Sequence, residues 1–248
     1  MESIVRYDFK PDLDSPAFVE CLPGIGGVGK IGGDFFAASV GAKKFASIYS
    51  RHFPSYVALD GDSVAHMPCN ELWHSKRGDG GDMVFLIGDY QGNTSEGQFD
   101  LARDVMDVLL RLGVSDITTL GGYGTGYIVR EPRVLGAVSD PKMKRQYKKW
   151  GVDFVPGEPR AGIVGASGVM LGFGKMYGIP SACLMGETAG HVADYRSALA
   201  VARVLAKKFG TDPDFSDLEE RARDLDALTA QIEEYSRIRP EEDLNYIG

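Results

Sequence analysis

The sequence has few cysteines, two tryptophans and no long run of apolar residues. Its 248 residues include three cysteines, Cys21, Cys69 and Cys183, and no CxxC pair. Sparse, unpaired cysteines predict reduced thiols, and a chain of this length buries enough apolar surface to fold without a disulfide. No apolar run approaches the roughly 18 residues that a membrane span needs, and residues 1–8 lack the pattern of a signal peptide. These absences predict a cytoplasmic protein with no membrane partner.

Basic residues are too few to balance the acidic ones, and the imbalance is confined to the C-terminal end. The formal net charge is −8. From Thr211 onward there are twelve acidic and four basic residues, so the remaining 23 acidic and 23 basic residues cancel. A net negative charge argues against a nucleic-acid partner, because phosphates must be met by cations. We divide the chain into an α/β core domain, residues 1–210, and an acidic helical arm and tail, residues 211–248.

Short apolar segments that end at glycine alternate with amphipathic segments. The apolar segments predict strands at residues 17–22, 83–87, 117–120, 161–164 and 181–185. Near-continuous apolarity indicates burial on both faces, as in a parallel sheet covered by helices. Apolar residues at helical spacing predict helices at residues 96–112, 195–209 and 218–238, and residues 64–76 predict an antiparallel excursion. The pattern predicts an α/β three-layer sandwich with a C-terminal helical arm.

A glycine-rich loop follows the first apolar strand. Residues 24–30 read Gly24-Ile25-Gly26-Gly27-Val28-Gly29-Lys30 and satisfy GxGxxG before a predicted helix. Backbone N–H groups there could cradle an anion, with Gly24, Gly26, Gly29 and Lys30 as candidates. Ile31 stands where a Walker A loop has Ser or Thr, and no acidic residue occupies the ribose-binding position of a dinucleotide fold. Glycines that serve a tight turn and close helix–sheet packing are the favoured interpretation.

Polar residues follow several of the predicted strands. Asp89, Tyr123 and Glu187 lie at or just after strand ends, where ligand sites form in open parallel sheets. They are candidates for a small-molecule pocket together with the glycine loop. Their spacing specifies no reaction, capping and turn formation explain Asp89 and Thr188 equally well, and a structural role is the favoured interpretation.

The known catalytic and metal-binding signatures are missing from the sequence. There is no GxSxG, HExxH or Cys–His signature. His66, Cys69 and His74 do not form a convincing set of metal ligands, so no metal site is predicted. Ser167 lies in a turn of small residues, where a helix cap is favoured over a nucleophile.

The last eight residues form a short acidic peptide after Pro240. Glu241-Glu242-Asp243 precede Leu244-Asn245-Tyr246-Ile247-Gly248. A peptide with apolar side chains and a free carboxylate suits capture by a basic pocket on a partner. A frayed terminus is the equally weighted alternative. The candidate partner-binding residues are Leu244, Tyr246, Ile247 and Gly248.

Four short glycine motifs occur in a fixed order along the chain. They are Leu22-Pro23-Gly24-Ile25-Gly26-Gly27-Val28-Gly29, Gly88-Asp89-Tyr90-Gln91, Leu120-Gly121-Gly122-Tyr123 and Gly186-Glu187. Together they resemble the proteasome assembly chaperone family of the archaeal and actinobacterial type, which is related to the second eukaryotic proteasome assembly chaperone. The resemblance covers roughly residues 17–210. It implies a nucleoside-phosphorylase-like α/β fold, homo-oligomers, and protein binding without catalysis or a cofactor.

The resemblance also implies a partner and the segment that binds it. Archaeal relatives engage α-subunits of the 20S proteasome through a C-terminal tail, which is similar to the hydrophobic–Tyr–any-residue ending of activators. In this chain Tyr246 lies third from the end. The first hypothesis is therefore a non-enzymatic proteasome assembly chaperone or adaptor. The alternative is an enzyme or binder of a nucleoside-like or phosphorylated small molecule.

Overall fold

The computed structural model describes residues 3–77 and 81–225. The strands are β1 (Ile4–Tyr7), β2 (Ala17–Cys21), β3 (Lys43–Tyr49), β4 (Ala58–Leu59), β5 (Ala65–His66), β6 (Asn70–Ser75), β7 (Met83–Gly88), β8 (Asp116–Gly124), β9 (Val134–Val138), β10 (Val152–Asp153) and β11 (Ser181–Thr188). The helices are α1 (Val28–Ser39), α2 (Ser95–Leu112), α3 (Lys144–Lys149), α4 (Ala166–Tyr177) and α5 (Tyr195–Phe209). Residues 216–225 are also helical.

Within the described residues, nine of the strands form one sheet in the order β1-β3-β6-β7-β2-β8-β11-β9-β10. The central strands β7, β2, β8 and β11 are mutually parallel. β6, β3 and β1 extend the sheet antiparallel on one side, and β9 pairs antiparallel with β11 on the other. All residues of β2 and β11 are buried, because helices cover both faces of the sheet. Their apolar sequences follow from this double burial.

Two pairs of helices cover the two faces of the sheet. On one face α2 and α4 form a core with the sheet that includes Phe18, Leu86, Val105, Met106 and Met170. On the other face α1 and α5 form a core that includes Val19, Phe36, Phe85, Leu184 and Leu205. The predicted three-layer α/β sandwich is therefore confirmed.

Local capping signals define the helix ends. The Thr94 side chain accepts a hydrogen bond from the Gly97 backbone N–H (3.0 Å) at the start of α2. Asp194 caps α5 in the same way through the Ser197 N–H (3.0 Å). Both helices end at a glycine in the left-handed conformation, Gly113 and Gly210, which residues with a Cβ seldom adopt. The predicted helices at 96–112 and 195–209 are thus confirmed.

The predicted strand at residues 161–164 is wrong. These residues lie in a loop before α4, and the Val164 side chain is 77% exposed. The short apolar run reflects the wall of a cavity rather than a strand. The sheet also contains β9, which pairs antiparallel with β11 and which the sequence pattern does not predict. The antiparallel excursion predicted at residues 64–76 is present as β5 and β6, and β5 pairs with β4, which precedes the predicted range.

The acidic arm begins against the core. Leu218 is buried and packs with Ala198 and Leu199 of α5, while the rings of Phe215 and Phe35 stack with centroids 5.5 Å apart. The rest of the predicted helix at 218–238 and the tail residues Leu244 to Gly248 lie outside the described residues. The domain division at residue 210 stays a prediction. Within the described ranges, no helix is long and apolar enough to span a membrane.

Candidate functional site

The parallel strands end at one edge of the sheet, and β2 and β8 separate there. β2 pairs with β8 only as far as Glu20 and Thr119. β8 continues to Gly124, paired with β11 alone. The chain after β2 enters α1 on one face, whereas the chain after β7 enters α2 on the other. In doubly wound sheets, connections that leave neighbouring strands such as β2 and β7 toward opposite faces open a crevice at the strand ends, and here the early end of the β2–β8 ladder widens it.

A cavity of about 800 Å³ occupies this crevice. Its floor is formed by β8, β11 and the start of α4, and its outer wall by the loop that precedes α4. The lining residues are Pro23, Gly24, Ile25, Gln91, Gln98, Leu120, Gly121, Gly122, Tyr123, Gly124, Glu158, Pro159, Arg160, Ala161, Gly162, Ile163, Val164, Gly165, Ser167, Cys183 and Met185. Its volume lies within the range of small-molecule sites.

A buried carboxyl group lies beneath the cavity floor. Glu20 is fully buried and accepts hydrogen bonds from the Leu22 N–H (3.1 Å) and from the Leu120 N–H. The Ser167 Oγ lies 2.8 Å from the Glu20 carboxyl group and 3.0 Å from the Leu120 carbonyl oxygen. The Glu20 carboxyl group therefore accepts hydrogen bonds from backbone N–H groups at the point where the β2–β8 ladder stops. Unpaired, those buried groups would cost stability.

Burial controls the protonation of this carboxyl group. Desolvation raises the pKa of Glu20 from 4.5 to about 7, although the hydrogen bonds from Ser167, Leu22 and Leu120 partly oppose the shift. When Glu20 is protonated it can donate to the Ser167 Oγ, which then donates to the Leu120 carbonyl. The Ser167 hydroxyl is thus held between two partners, the Glu20 carboxyl group and the Leu120 carbonyl oxygen.

Gln91 joins two sides of the crevice. Its Nε2 donates to the Pro23 carbonyl oxygen (2.6 Å), and its Oε1 accepts from the Ala166 N–H (2.9 Å). One side chain that follows β7 therefore fixes both the loop after β2 and the first residue of α4. Gln91 belongs to the motif Gly88-Asp89-Tyr90-Gln91, but no role was predicted for it.

An acidic group lies at the rim of the cavity. Tyr123 Oη donates to Glu158 (2.9 Å), and Arg160 Nε lies 3.3 Å from the same carboxylate. The hydrogen bond from Tyr123 is the main reason that the pKa of Glu158 is lowered, with Arg160 contributing. Glu158 is therefore ionised at neutral pH. Tyr123 was a predicted site residue, whereas Glu158 and Arg160 were not.

The glycine loop is used for close packing. A Cβ on Gly29 would lie 2.5 Å from the Leu120 carbonyl oxygen, and one on Gly26 would lie 2.6 Å from Thr188 Oγ1. Gly26 also has a φ of +64°, which favours glycine. Gly24 lines the cavity. These distances support the packing interpretation, and anion binding by Gly24, Gly26, Gly29 and Lys30 stays a prediction.

The other predicted pocket residues do not line the large cavity. Lys30 Nζ lies 2.9 Å from Asp34 and 3.0 Å from Asp89, beside a smaller crevice of about 260 Å³. Burial lowers the pKa of Lys30, but its hydrogen bonds to both carboxylates outweigh this and raise the pKa overall. The structure thus brings Lys30 and Asp89 together, but away from Tyr123.

Glu187 is paired with an arginine. The buried Glu187 carboxylate accepts from Arg133 Nε (3.1 Å) and from the Arg133 backbone N–H (3.1 Å). The Arg133 side-chain hydrogen bonds lower the pKa of Glu187, despite its burial. This arrangement ties the chain before β9 to the end of β11. Glu187 therefore has a structural partner and does not belong to the cavity lining.

The described residues offer no metal site and no activated thiol. They contain no group of three or more His, Cys, Asp or Glu side chains that could hold a metal ion. Burial raises the pKa of Cys183 to about 12 and that of Cys21 well above its usual range. Both thiols are therefore protonated at neutral pH and weakly nucleophilic.

The fold and this site define a three-layer α/β protein with a small-molecule-sized cavity at the carboxyl ends of its parallel strands. Residues 18–233 match the model of the PAC2 family. The chain belongs to the PAC2 family, which confirms the resemblance of its glycine motifs to proteasome assembly chaperones.

Three relatives are similar to this chain over nearly its full length. PbaB from Pyrococcus furiosus, an archaeal proteasome activator of known crystal structure, is 35% identical in sequence to this chain. The two structures align with a TM-score of 0.87 over 94% of this chain and 99% of PbaB. PbaA from the same organism, an archaeal homolog of proteasome-assembly chaperone, is 23% identical with a TM-score of 0.75, covering 94% of each chain, and shows the fold. The uncharacterized protein MJ1210 of Methanocaldococcus jannaschii is 30% identical, covering 97% of this chain and 95% of MJ1210.

Proposed function

We propose that this protein acts in the cytoplasm as a non-enzymatic proteasome assembly chaperone or activator that binds 20S α-subunits. The observation that carries the proposal is the likeness to PbaB, which extends over 94% of this chain at 35% identity. A shared fold alone does not imply a shared function. At this identity, however, the likeness is one of sequence as well as topology, and it extends over nearly the whole of both chains.

The polar groups near the strand ends also support a binding role. Glu187 is paired with Arg133, Lys30 with Asp34 and Asp89, and Ser167 with Glu20. General acid–base or nucleophilic catalysis needs such groups within reach of a reacting atom. Among the described residues near the strand ends, each of these groups is paired with another group of the protein, and these pairs connect separate segments of the fold.

The proposed docking element is the acidic C-terminal tail. Leu244, Tyr246 and Ile247 would supply apolar anchors, and the carboxylate of Gly248 would pair with a lysine of the partner. The acidic residues 241–243 would steer the tail toward basic pockets between α-subunits. All of these residues lie outside the described ranges, so this mechanism rests on the sequence and on the family.

Removal of residues 241–248 is expected to weaken binding to 20S α-subunits by at least about tenfold, because both the apolar anchors and the terminal carboxylate are lost. Native mass spectrometry of the protein with α-subunits from the same organism measures the complex. A full-length variant with residues 244–248 in shuffled order is the matched control for length and charge. Undiminished binding by the truncated protein would contradict the tail mechanism, while binding by the shuffled variant would show that charge alone is sufficient.

Two assays separate the proposed roles. An activator increases peptide hydrolysis by the mature 20S proteasome, whereas an assembly chaperone accelerates the formation of α-subunit complexes from free subunits. Both assays use the full chain. A protein that changes neither rate and forms no complex with α-subunits would contradict the proposed function as a whole.

We further propose that copies of this chain associate through the outer surface of α2 and α4. Phe99 is 50% exposed, and its ring lies 5.0 Å from that of Phe173, which in turn lies 6.2 Å from the ring of Tyr177. Met176 beside them is 65% exposed. An apolar surface of this kind is typical of protein interfaces.

Met176→Asp is expected to shift the protein to a smaller oligomer in native mass spectrometry, because an interface would have to bury an unpaired carboxylate. Met67→Asp is the matched control, since Met67 is 62% exposed and follows β5 rather than lying on these helices. An unchanged mass for Met176→Asp, or dissociation by Met67→Asp alone, would place the interface elsewhere.

A further inference from the structure

We propose that the cavity between the separated ends of β2 and β8 is a binding site for an uncharged, largely apolar small molecule. The residues of this site are not those of the proposed docking tail, and the inference does not rest on the proposed proteasome function. Four features of the cavity support it: an unfilled floor, apolar side chains at its mouth, the lack of an unpaired lining cation among the described residues, and an open strand edge.

The cavity floor is left unfilled at Gly121. A Cβ added to Gly121 would have its nearest neighbours, Met185 Cγ and Ser167 Oγ, 4.0 Å away. Neighbouring glycines are different, since a Cβ on Gly122 would lie 2.2 Å from the Ile25 carbonyl oxygen and one on Gly168 would lie 2.0 Å from that of Ile163. Close packing therefore requires Gly122 and Gly168 but not Gly121. Because protein interiors are normally close-packed, the space above Gly121 is available to a ligand.

Apolar side chains surround the space and its entrance. Ile163, Cys183 and Met185 line the cavity, and Ile25 and Val164 are exposed where it opens. A bound apolar molecule would cover the exposed side chains of Ile25 and Val164, which is favourable in proportion to the apolar area removed from water. The cavity thus offers the hydrophobic contact that small-molecule sites use for affinity.

The charges of the site disfavour an anionic ligand. Among the described residues that line the cavity, Arg160 is the single basic side chain, and it pairs with Glu158 at 3.3 Å. The Arg160 side chain is 90% exposed, so it is directed to solvent rather than into the cavity. Glu158 is ionised, and the Glu20 carboxyl group lies beneath the floor. A phosphorylated ligand would find no unpaired lining cation, in contrast to ordinary phosphate sites.

An open strand edge can orient the polar atoms of the ligand. Successive residues of a strand direct their backbone groups alternately to its two neighbours. Thr125 N–H donates to the Thr188 carbonyl on the β11 side, so Gly122 and Gly124 direct their N–H and C=O groups away from β11. The β2 ladder stops before these residues. They therefore present donors and acceptors suited to a neutral group such as an amide.

Two fluorescent probes that share one ring system test the proposal on the full chain. N-phenyl-1-naphthylamine is neutral, and 8-anilino-1-naphthalenesulfonate carries an added sulfonate. We expect saturable binding of the neutral probe, with the sulfonate at least about tenfold weaker. Gly121→Val places a side chain in the space above the cavity floor, so it is expected to weaken binding of the neutral probe by about tenfold or more. Gly61→Val is the control, because Gly61 is exposed between β4 and β5, away from α2 and α4, and a Cβ there meets nothing within 4 Å.

A second variant removes the charge at the rim of the cavity without changing the packing of side chains around it. Glu158→Gln is nearly isosteric and is expected to narrow the difference in affinity between the two probes. Unchanged affinity of the neutral probe in a folded Gly121→Val protein would overturn the location of the site. Equal affinity of the two probes for the wild-type protein, or no narrowing in Glu158→Gln, would overturn the proposed ligand class.

Discussion

Gly29→Ala is expected to lower the free energy of unfolding by about 3 kcal/mol, at the upper end for an overpacked core. The added Cβ would lie 2.5 Å from the Leu120 carbonyl oxygen and 2.9 Å from its carbonyl carbon. Backbone atoms of a central strand cannot rotate away as a flexible side chain would. The start of α1 would therefore have to move off β8. Urea denaturation measures the change.

The control for this substitution is Gly172→Ala. Both glycines lie within helices, but a Cβ on Gly172 meets nothing within 4 Å. Alanine there is expected to raise the stability by about 0.5–1 kcal/mol, because glycine loses more backbone entropy on folding. A Gly29→Ala protein as stable as the wild type would show that α1 does not pack closely on β8.

The contribution of Glu20 to the free energy of unfolding is expected to fall as the pH rises from about 4.5 to about 7. The expected loss over this range is roughly 3 kcal/mol. Burial raises the pKa of this group in the folded protein to about 7. Between the two values the folded state therefore holds the proton more tightly than the unfolded state does. The stabilisation is complete below the unfolded pKa and is lost as the pH rises through the folded one.

Glu20→Gln isolates this contribution, since other groups also titrate over the same range. Glutamine resembles protonated Glu20: it can accept from the Leu22 N–H and donate to the Ser167 Oγ. Subtracting the stability of the variant from that of the wild type, at each pH, should leave the slope due to Glu20. A difference that does not change with pH would contradict a raised pKa. Glu20→Leu should be destabilised at every pH, because it leaves buried polar groups unpaired.

Much of the fold could be predicted because its signals are local. The apolar runs at residues 17–22, 83–87 and 181–185 coincide with β2, β7 and β11. Residues 161–164 have similar composition but form a loop. A short apolar run is found both in buried strands and in loops that line a cavity, so by itself it does not distinguish the two.

The candidate site could be predicted only in part. Gly24 and Tyr123 line the cavity, but Lys30 and Asp89 form an ion pair beside a different crevice, and Glu187 pairs with Arg133. The signal for Glu20 was present in the sequence, as a lone charged residue within an apolar strand. Its meaning depended on Ser167, which lies 147 positions further along the chain.

The sequence by itself determined the alternation of strands and helices, the doubly buried sheet and the location of the net charge in the arm. Each of these follows from periodicity or composition within a short stretch of chain. Only the tertiary structure decided where β2 and β8 separate, which side chains meet at that point, and that a cavity remains above Gly121. Those outcomes depend on strand order and on where a ladder of hydrogen bonds ends. Both are set by packing between segments that are distant in the chain.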